Sequence, residues 1–108
     1  MFARVASYEI DIETWGPVAE WFDEHGEALN QQLPGYEGSM TLVDREQGQM
    51  IGIGLYDTED NARAVDATMD QGAPEGMPED LREILMRGTR TSRGVYEVEQ
   101  SAGRLTQA

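Results

Sequence analysis

Cysteine and lysine are both absent from this sequence of 108 residues. The absence of thiols excludes disulfides, cysteine nucleophiles and cysteine-ligated metal sites. Because all eight basic residues are arginine, a Schiff-base lysine and the lysine of a phosphate-binding loop are excluded as well. With one histidine in the chain, a transition-metal site would consist mostly of carboxylates, so we expect no metal and no other cofactor.

Long apolar runs are missing too. No segment approaches the roughly 18 consecutive apolar residues of a membrane span. The first residues, MFARVASYEID, lack the basic and apolar segments of a secretory signal. We therefore expect a cytoplasmic protein.

Acidic residues, in contrast, are abundant: 21 acids face eight bases, for a net charge of −13. A field of this sign repels phosphate groups, so we expect no nucleic-acid partner and no binding to an anionic membrane. Two origins of the acidity remain open, namely a GC-rich genome that favours arginine codons and a high-salt cytoplasm that favours acidic surfaces.

The hydrophobic pattern predicts a single domain of residues 1–99 and a flexible tail of residues 100–108. The long helix is predicted to have Thr14 as its N-cap and Pro17 in its first turn. Thr58 is predicted to cap a second helix, whose buried residues are Ala62, Val65 and Met69. The predicted elements are strand 2–10, helix 14–33, strands 36–44 and 50–57, a helix after Thr58, a short helix opening at Pro78 and strand 91–99.

This order predicts an α+β, ferredoxin-like βαββαβ fold, in which a four-stranded antiparallel sheet carries its helices on one face. In residues 50–56, neither the even-numbered nor the odd-numbered positions are polar. The face of the sheet that carries no helices therefore needs a cover as well. The simplest cover is a second copy of the chain, and we expect a homodimer.

Three segments resemble a known family: Glu20–His25 on the long helix, Leu33–Met40 with its Pro-Gly-Tyr-Glu-Gly run, and the strand end Leu42–Asp44. They resemble the dimeric α/β-barrel superfamily, and within it the antibiotic-biosynthesis-monooxygenase-like (ABM-like) domains. The similarity in element order covers roughly residues 1–99. It implies a dimeric α/β barrel with two sheets packed face to face. Activities in this superfamily include cofactor-free oxygenation of polyketide phenols, haem degradation and small isomerisations.

The resemblance does not favour haem degradation for this chain. The haem-degrading branch uses an asparagine on strand one, and a tryptophan and a histidine in its second helical region. Here strand one offers Ser7 and Tyr8, and residues 58–87 contain neither tryptophan nor histidine. The quinone-forming oxygenases place asparagine, tryptophan, tyrosine and arginine around a phenolic substrate, but no residue of this chain is assigned to those positions.

His25 is the candidate catalytic residue, because imidazole is the side chain that exchanges a proton near neutral pH. It lies at the edge of the helical stripe, four residues after Trp21. There it can act as a base in a pocket between helix and sheet. Alternatively, it packs on Trp21, or it simply faces solvent among Glu24 and Glu27. The candidate ligand-binding pocket consists of aromatic residues that can hold a flat organic ligand or serve as core and interface: Tyr8, Trp21, Phe22, Tyr56 and Tyr96.

Two further motifs are less specific. Arg87, Arg90 and Arg93 form a positive cluster that can bind a carboxylate or phenolate, or pair with nearby acids. Gly52-Ile-Gly54 lies within a predicted strand, where the glycines permit twist or close packing rather than nucleotide binding.

Two functions remain open at this stage. The first is a cofactor-independent monooxygenase, or a related small enzyme, acting on an aromatic or quinone-like metabolite. Its substrate must be electron-rich, because the protein contributes no redox centre. The second is a non-catalytic dimer that binds a small ligand or serves as a structural module. A cavity with His25 directed into it favours the enzyme, and a filled core favours the module.

Overall fold

The computed structural model describes residues 1–100, so all but the first residue of the predicted tail lies outside the described part. Seven elements follow one another in the predicted order. They are β1 (Phe2–Glu9), α1 (Gly16–Asn30), β2 (Tyr36–Asp44), β3 (Gln49–Tyr56), α2 (Glu59–Met69), α3 (Glu79–Arg87) and β4 (Thr89–Glu97).

The four strands form one antiparallel sheet in the order β2-β3-β1-β4. This is the ferredoxin-like arrangement expected from the element order, and it confirms the predicted fold class. The two central strands, β1 and β3, pair from Phe2 opposite Tyr56 to Glu9 opposite Gln49. Because side chains alternate along a strand, this register assigns each residue to one of the two faces of the sheet.

The helix ends differ in part from the predictions. Trp15, not Thr14, is the N-cap of α1, and it makes no side-chain capping bond. The Thr14 hydroxyl instead donates to the Asp11 carbonyl in the preceding turn. Pro17 lies in the first turn as predicted. The helix ends at Asn30 rather than at residue 33 because the following residues form turns that lead into β2.

The second helix begins as predicted, because the Thr58 hydroxyl accepts a hydrogen bond from the Asn61 backbone amide at 3.1 Å. Ala62 and Val65 are buried, but the prediction for Met69 is wrong, since that residue is 44% exposed. Met69 is the last residue of α2, where the helix leaves the sheet.

The core lies on the helix face of the sheet, where Tyr56 packs with Ala62 and Val65. Phe2, Leu33, Tyr36 and Val95 pack around this cluster. Helix α2 crosses β1, β3 and β4, whereas the main tertiary contact of α1 is with α3.

In the described residues 1–100, the other face of the sheet carries no helix. Its residues on β1 and β3 are Ala3, Val5, Ser7, Ile51, Ile53 and Leu55. On the edge strands, Met40, Leu42 and Tyr96 lie on the same face and are 40%, 46% and 60% exposed. We call this surface the open face. Within residues 1–100 no helix is long and apolar enough to cross a membrane.

Candidate functional site

The helix face of β3 contains an uncovered position at Gly52. Gly52 pairs with Ala6 on β1 and with Thr41 on β2, so it lies at the centre of the sheet. A Cβ atom at Gly52 would have no atom within 4 Å. At Gly54, in contrast, a Cβ would lie 2.8 Å from the ring of Tyr56. The sheet is therefore covered by the Tyr56 ring at one glycine and left open at the next.

Helix α1 has one side directed at the edge strand β2. The Tyr36 hydroxyl donates to the Glu27 carboxylate at 3.0 Å, and the Asn30 amide donates to the Ser39 hydroxyl at 3.5 Å. At about 100° per residue, Trp21 and His25 lie on the opposite side of the helix. These two side chains are therefore directed away from β2. We call the uncovered part of the helix face at Gly52 the cleft.

His25 is held against Trp21 by two contacts. Its imidazole ring stacks on the indole with ring centroids 4.5 Å apart and an interplanar angle of 19°. Its Nδ1 lies 2.9 Å from the Trp21 carbonyl oxygen. Because a carbonyl oxygen only accepts, Nδ1 carries the hydrogen. In neutral His25 the other nitrogen, Nε2, is then the atom that can accept a proton.

Phe22 completes this aromatic group on α1. Its ring meets the Trp21 ring edge-on, with centroids 5.3 Å apart and an interplanar angle of 87°. Trp21 and Phe22 are half-buried, whereas His25 is exposed. The helix thus presents a preformed apolar surface with one proton-accepting atom at its exposed end.

The five predicted pocket residues do not all lie on one side of the sheet. Tyr8 and Tyr56 occupy the helix face of β1 and β3. Tyr96 pairs with Ala3 and lies on the open face, so it cannot line the cleft of its own chain. Tyr56 is 3% exposed and belongs to the core, where its ring forms the covered end of the cleft floor.

Arg4 is a residue of the helix face that the sequence analysis did not select. Among residues 1–100 it is the one charged residue that is buried, and it is 6% exposed. Its Nε and Nη2 donate to the Asp66 carboxylate of α2, at 3.1 and 2.8 Å. The sequence contained the information needed to find Arg4. It shares its side of the predicted strand with Phe2 and Ala6, and a charged side chain on a buried side of a strand requires a partner.

The Arg4 guanidinium lies between two tyrosines. Burial by itself lowers the pKa of Arg4, but Tyr8 and Asp66 offset this effect, and the pKa is raised overall. Burial raises the pKa of Tyr56, which the Arg4 charge partly counteracts. Arg4 is therefore a fixed cation on the floor between the two phenols.

The predicted arginine cluster pairs with acids in part. Arg90 lies 3.5 Å from Asp70, and Arg93 lies 3.7 Å from Asp66 and 3.9 Å from Asp70. Arg87 instead donates to the Glu83 carbonyl in its own helix. The Asp66 carboxylate thus lies within ion-pair distance of both Arg4 and Arg93.

A shallow depression of about 420 Å³ lies elsewhere, on α3. Met77, Glu79, Arg82, Glu83 and Met86 line it. It is open to solvent, and neither a histidine nor an aromatic residue lines it. It therefore has no imidazole that could act as a general base. In the part of the chain that the structure describes, no group of three or more acidic or histidine side chains is placed to hold a metal ion.

The architecture is the α+β fold of the ABM-like proteins. One solved structure with this fold is MhuD of Mycobacterium tuberculosis, a heme degrader with two hemes bound in its active site. Its TM-score is 0.62 at 13% identity, and the match covers 95% of this chain and 100% of MhuD. An arginine-to-serine mutant of MhuD with two manganese protoporphyrin IX molecules per active site matches with a TM-score of 0.59, 15% identity and coverage of 95% and 99%.

A third solved structure is a proposed antibiotic biosynthesis monooxygenase from Deinococcus radiodurans. It matches with a TM-score of 0.56 and 15% identity, covering 95% of this chain and 97% of the other. No protein-family model matches the sequence, and no curated protein matches it either. At these identities the likeness defines the fold, and the chemistry has to be argued from this chain's own residues.

Proposed function

We propose that the cleft binds a flat aromatic substrate and that the protein is a cofactor-independent monooxygenase of a phenol or quinone-like compound. The observation that carries this proposal is the open position at Gly52, on the face of the sheet that also carries α1 with its aromatic side chains. A planar ligand can occupy this space between the glycine floor and the aromatic side chains. Aromatic walls with few polar groups are typical of sites for flat organic ligands.

His25 has the geometry required of a general base. Its Nδ1–H is engaged by the Trp21 carbonyl, which leaves Nε2 to accept the proton of a phenol. The phenolate formed is electron-rich and can react with dioxygen directly. In a conversion of phenol to quinone, one oxygen atom enters the ring, the other leaves as water, and the substrate supplies all the electrons.

The experiment that tests this function is a thermal-shift screen of phenols and quinones, followed by oxygen consumption with the compounds that bind. Oxygen uptake with a bound phenol supports the monooxygenase. Binding without oxygen uptake favours the non-catalytic ligand-binding module, and no binding by any member of the panel contradicts the cleft as a ligand site.

His25→Ala should lower the turnover of such a substrate by about 10²- to 10⁴-fold, the usual contribution of a general base. The fold should persist, because His25 is exposed and contributes little packing. Glu24→Ala, which removes the neighbouring exposed side chain of the same helix, is the matched control. Unchanged turnover in folded His25→Ala would remove His25 from the mechanism, and a fall in melting temperature of many degrees would make it a structural residue.

We also propose that the protein is a homodimer in which the open faces of two copies pack together. The support is the run of apolar residues across all four strands, several of them strongly exposed in one chain, such as Leu42 and Tyr96. A contiguous apolar surface of this kind is typical of an interface. Because the interface lies on the face opposite the cleft, each copy keeps its own cleft.

A further inference from the structure

Helix α1 has no side chain at one position of the row of residues with which it meets the sheet, at Gly26. One turn before Gly26 is Phe22, which is half-buried, and one turn after it is Asn30, whose amide donates to the Ser39 hydroxyl of β2 at 3.5 Å. Residues four apart lie one above the other on the same side of a helix. Gly26 therefore leaves a gap in the row between Phe22 and Asn30.

The contact between Asn30 and Ser39 fixes where this gap lies along the strands. Gly26 precedes Asn30 by four residues, or about 6 Å along the helix axis. The next residue of β2 on the helix face after Ser39 is Thr41, about 7 Å further along the strand. Helix α1 and β2 follow each other in the chain and run in opposite directions in a ferredoxin-like fold, so both steps lead the same way. Gly26 is therefore level with Thr41, whose partner on β3 is Gly52.

Neither of these two glycines is covered from the opposite element. Within residues 1–100, a Cβ atom at Gly52 would have no atom of α1 within 4 Å, and a Cβ atom at Gly26 would have no atom of the sheet within 4 Å. The one side chain close to Gly26 is Phe22 of the same helix, at 3.8 Å. In a close-packed interface, the side chains of one element fill the gaps of the other. Two glycines at the same level therefore leave a slot between α1 and the sheet.

We propose that Gly26 and Gly52 are the two walls of a slot that accepts the flat ring of the substrate, and that they are specificity-determining residues of the cleft. This inference rests on the proposed function, which requires a flat aromatic compound in the cleft. A fully aromatic ring is thin enough to lie between two walls that carry no side chains. A saturated ring is thicker, because its carbons carry hydrogens above and below the mean plane. The substrates are therefore fully aromatic ring systems, and partly saturated ones bind weakly.

The test compares two phenols of nearly the same outline, 2-naphthol and 5,6,7,8-tetrahydro-2-naphthol, by isothermal titration. Both carry the hydroxyl group on an aromatic ring, and only the second ring differs, being flat in the first compound and puckered in the second. We expect the native protein to bind 2-naphthol about tenfold or more tightly, because overlap with a wall offsets the gain from burial. An apolar surface without a slot would bind the tetrahydro compound at least as tightly, because its second ring has more apolar area to bury.

Two variants fill the slot from opposite sides. Gly26→Leu and Gly52→Val introduce residues that favour a helix and a strand, so both proteins should fold. Each should weaken the binding of 2-naphthol by about tenfold or more. Ala28→Leu adds a side chain on the exposed side of the same helix, and as the matched control it should bind like the native protein. Should Gly26→Leu or Gly52→Val not fold, Gly26→Ala combined with Gly52→Ala narrows the slot by one methyl group from each side and should weaken binding likewise.

The outcomes separate the slot from the cleft as a whole. Equal binding of the two phenols by the native protein contradicts the slot and leaves the cleft as a ligand site. A loss of binding in only one of the two glycine variants contradicts the slot as well, because a ring between two walls needs both of them free. An equal loss in Ala28→Leu would assign the effect to the helix in general. If neither phenol binds, the cleft fails as a ligand site and the slot fails with it.

Discussion

On the helix face of the sheet, the environment of each side chain depends on its neighbours in the fold more than on its residue type. Tyr56 illustrates this point, because its ring turns back over Gly54 and packs with Ala62 and Val65 of α2. A tyrosine in this strand pattern reads equally well as a pocket residue, and only its 3% exposure identifies it as core. Its hydroxyl nevertheless lies in the electrostatic field of Arg4.

Tyr56 should make the protein sensitive to alkaline pH. Burial raises its pKa above the ordinary value of 10.0, so the folded protein favours the neutral phenol. The unfolded chain releases this proton first, and the free energy of unfolding should therefore fall as the pH rises above about 10. Urea unfolding at about pH 8 and about pH 10.5 measures the effect.

Tyr56→Phe should reduce this pH dependence, because the residue that titrates differently in the two states is gone. If Tyr56→Phe and the native protein lose stability equally between the two pH values, Tyr56 is not the group responsible.

Among the elements, α1 and β3 together create the cleft. Helix α1 buries Val18, contacts α3 and forms hydrogen bonds with β2 near its end. On the same face of the sheet, β3 has glycine at two successive positions. The structure gives these glycines different surroundings, which leads to opposite expectations for the same substitution.

Gly52→Ala should be neutral or stabilise the protein by up to about 0.5–1 kcal/mol, because glycine in a strand costs conformational entropy and the new methyl group meets no atom. Gly54→Ala should destabilise it by about 1–3 kcal/mol, because the methyl group overlaps a tyrosine ring that is held in the core. Urea unfolding of both variants checks the pair. A larger loss for Gly52→Ala than for Gly54→Ala would show that the floor is not open as described.

For the molecule as a whole, the net charge and the apolar open face have the largest effects on stability and on association with a second copy. The chain has 21 acidic residues and a small buried core, whose hydrophobic members within residues 1–100 are Ala6, Trp15, Val18, Tyr56, Ala62, Val65 and Met77. Such a chain has little apolar burial to offset the repulsion among its surface charges. The apolar open face is the part of the surface that a second copy can bury.

The stability of the protein should rise with salt. Repulsion among surface charges at a net charge of −13 is long-ranged, and ions screen it over roughly 10 Å at about 0.1 M. We expect the melting temperature to increase between low salt and about 1 M KCl. A flat or falling melting temperature would mean that local pairs already balance the charges.

The dimer should depend on the open face. Met40→Glu introduces a charge on that face and should produce monomers in sedimentation experiments at micromolar concentration. Met86→Glu makes the same change on α3, where the side chain is 63% exposed, and should leave the dimer intact. A native protein that sediments as a stable monomer would contradict the dimer directly.

The element order and the fold class could be predicted from the amino-acid sequence, because alternation, helical spacing and turn residues act over a few neighbouring positions. It also predicted the Thr58 cap, a contact between residues three apart. The start of α1 was missed by two residues, since Trp15 and Val18 are buried by tertiary packing that outweighs the capping preference of Thr14.

Only the tertiary structure decided which residues share the cleft. Arg4 and Asp66 are 62 positions apart, and no local rule brings them together. The same holds for the separation of Tyr96 from Tyr8, because Tyr96 pairs with Ala3, which lies on the opposite face of β1 from Tyr8. The face on which a strand side chain lies depends on strand register, and register depends on contacts across the whole sheet. The sequence could therefore identify candidate aromatic residues but could not assign each of them to a face.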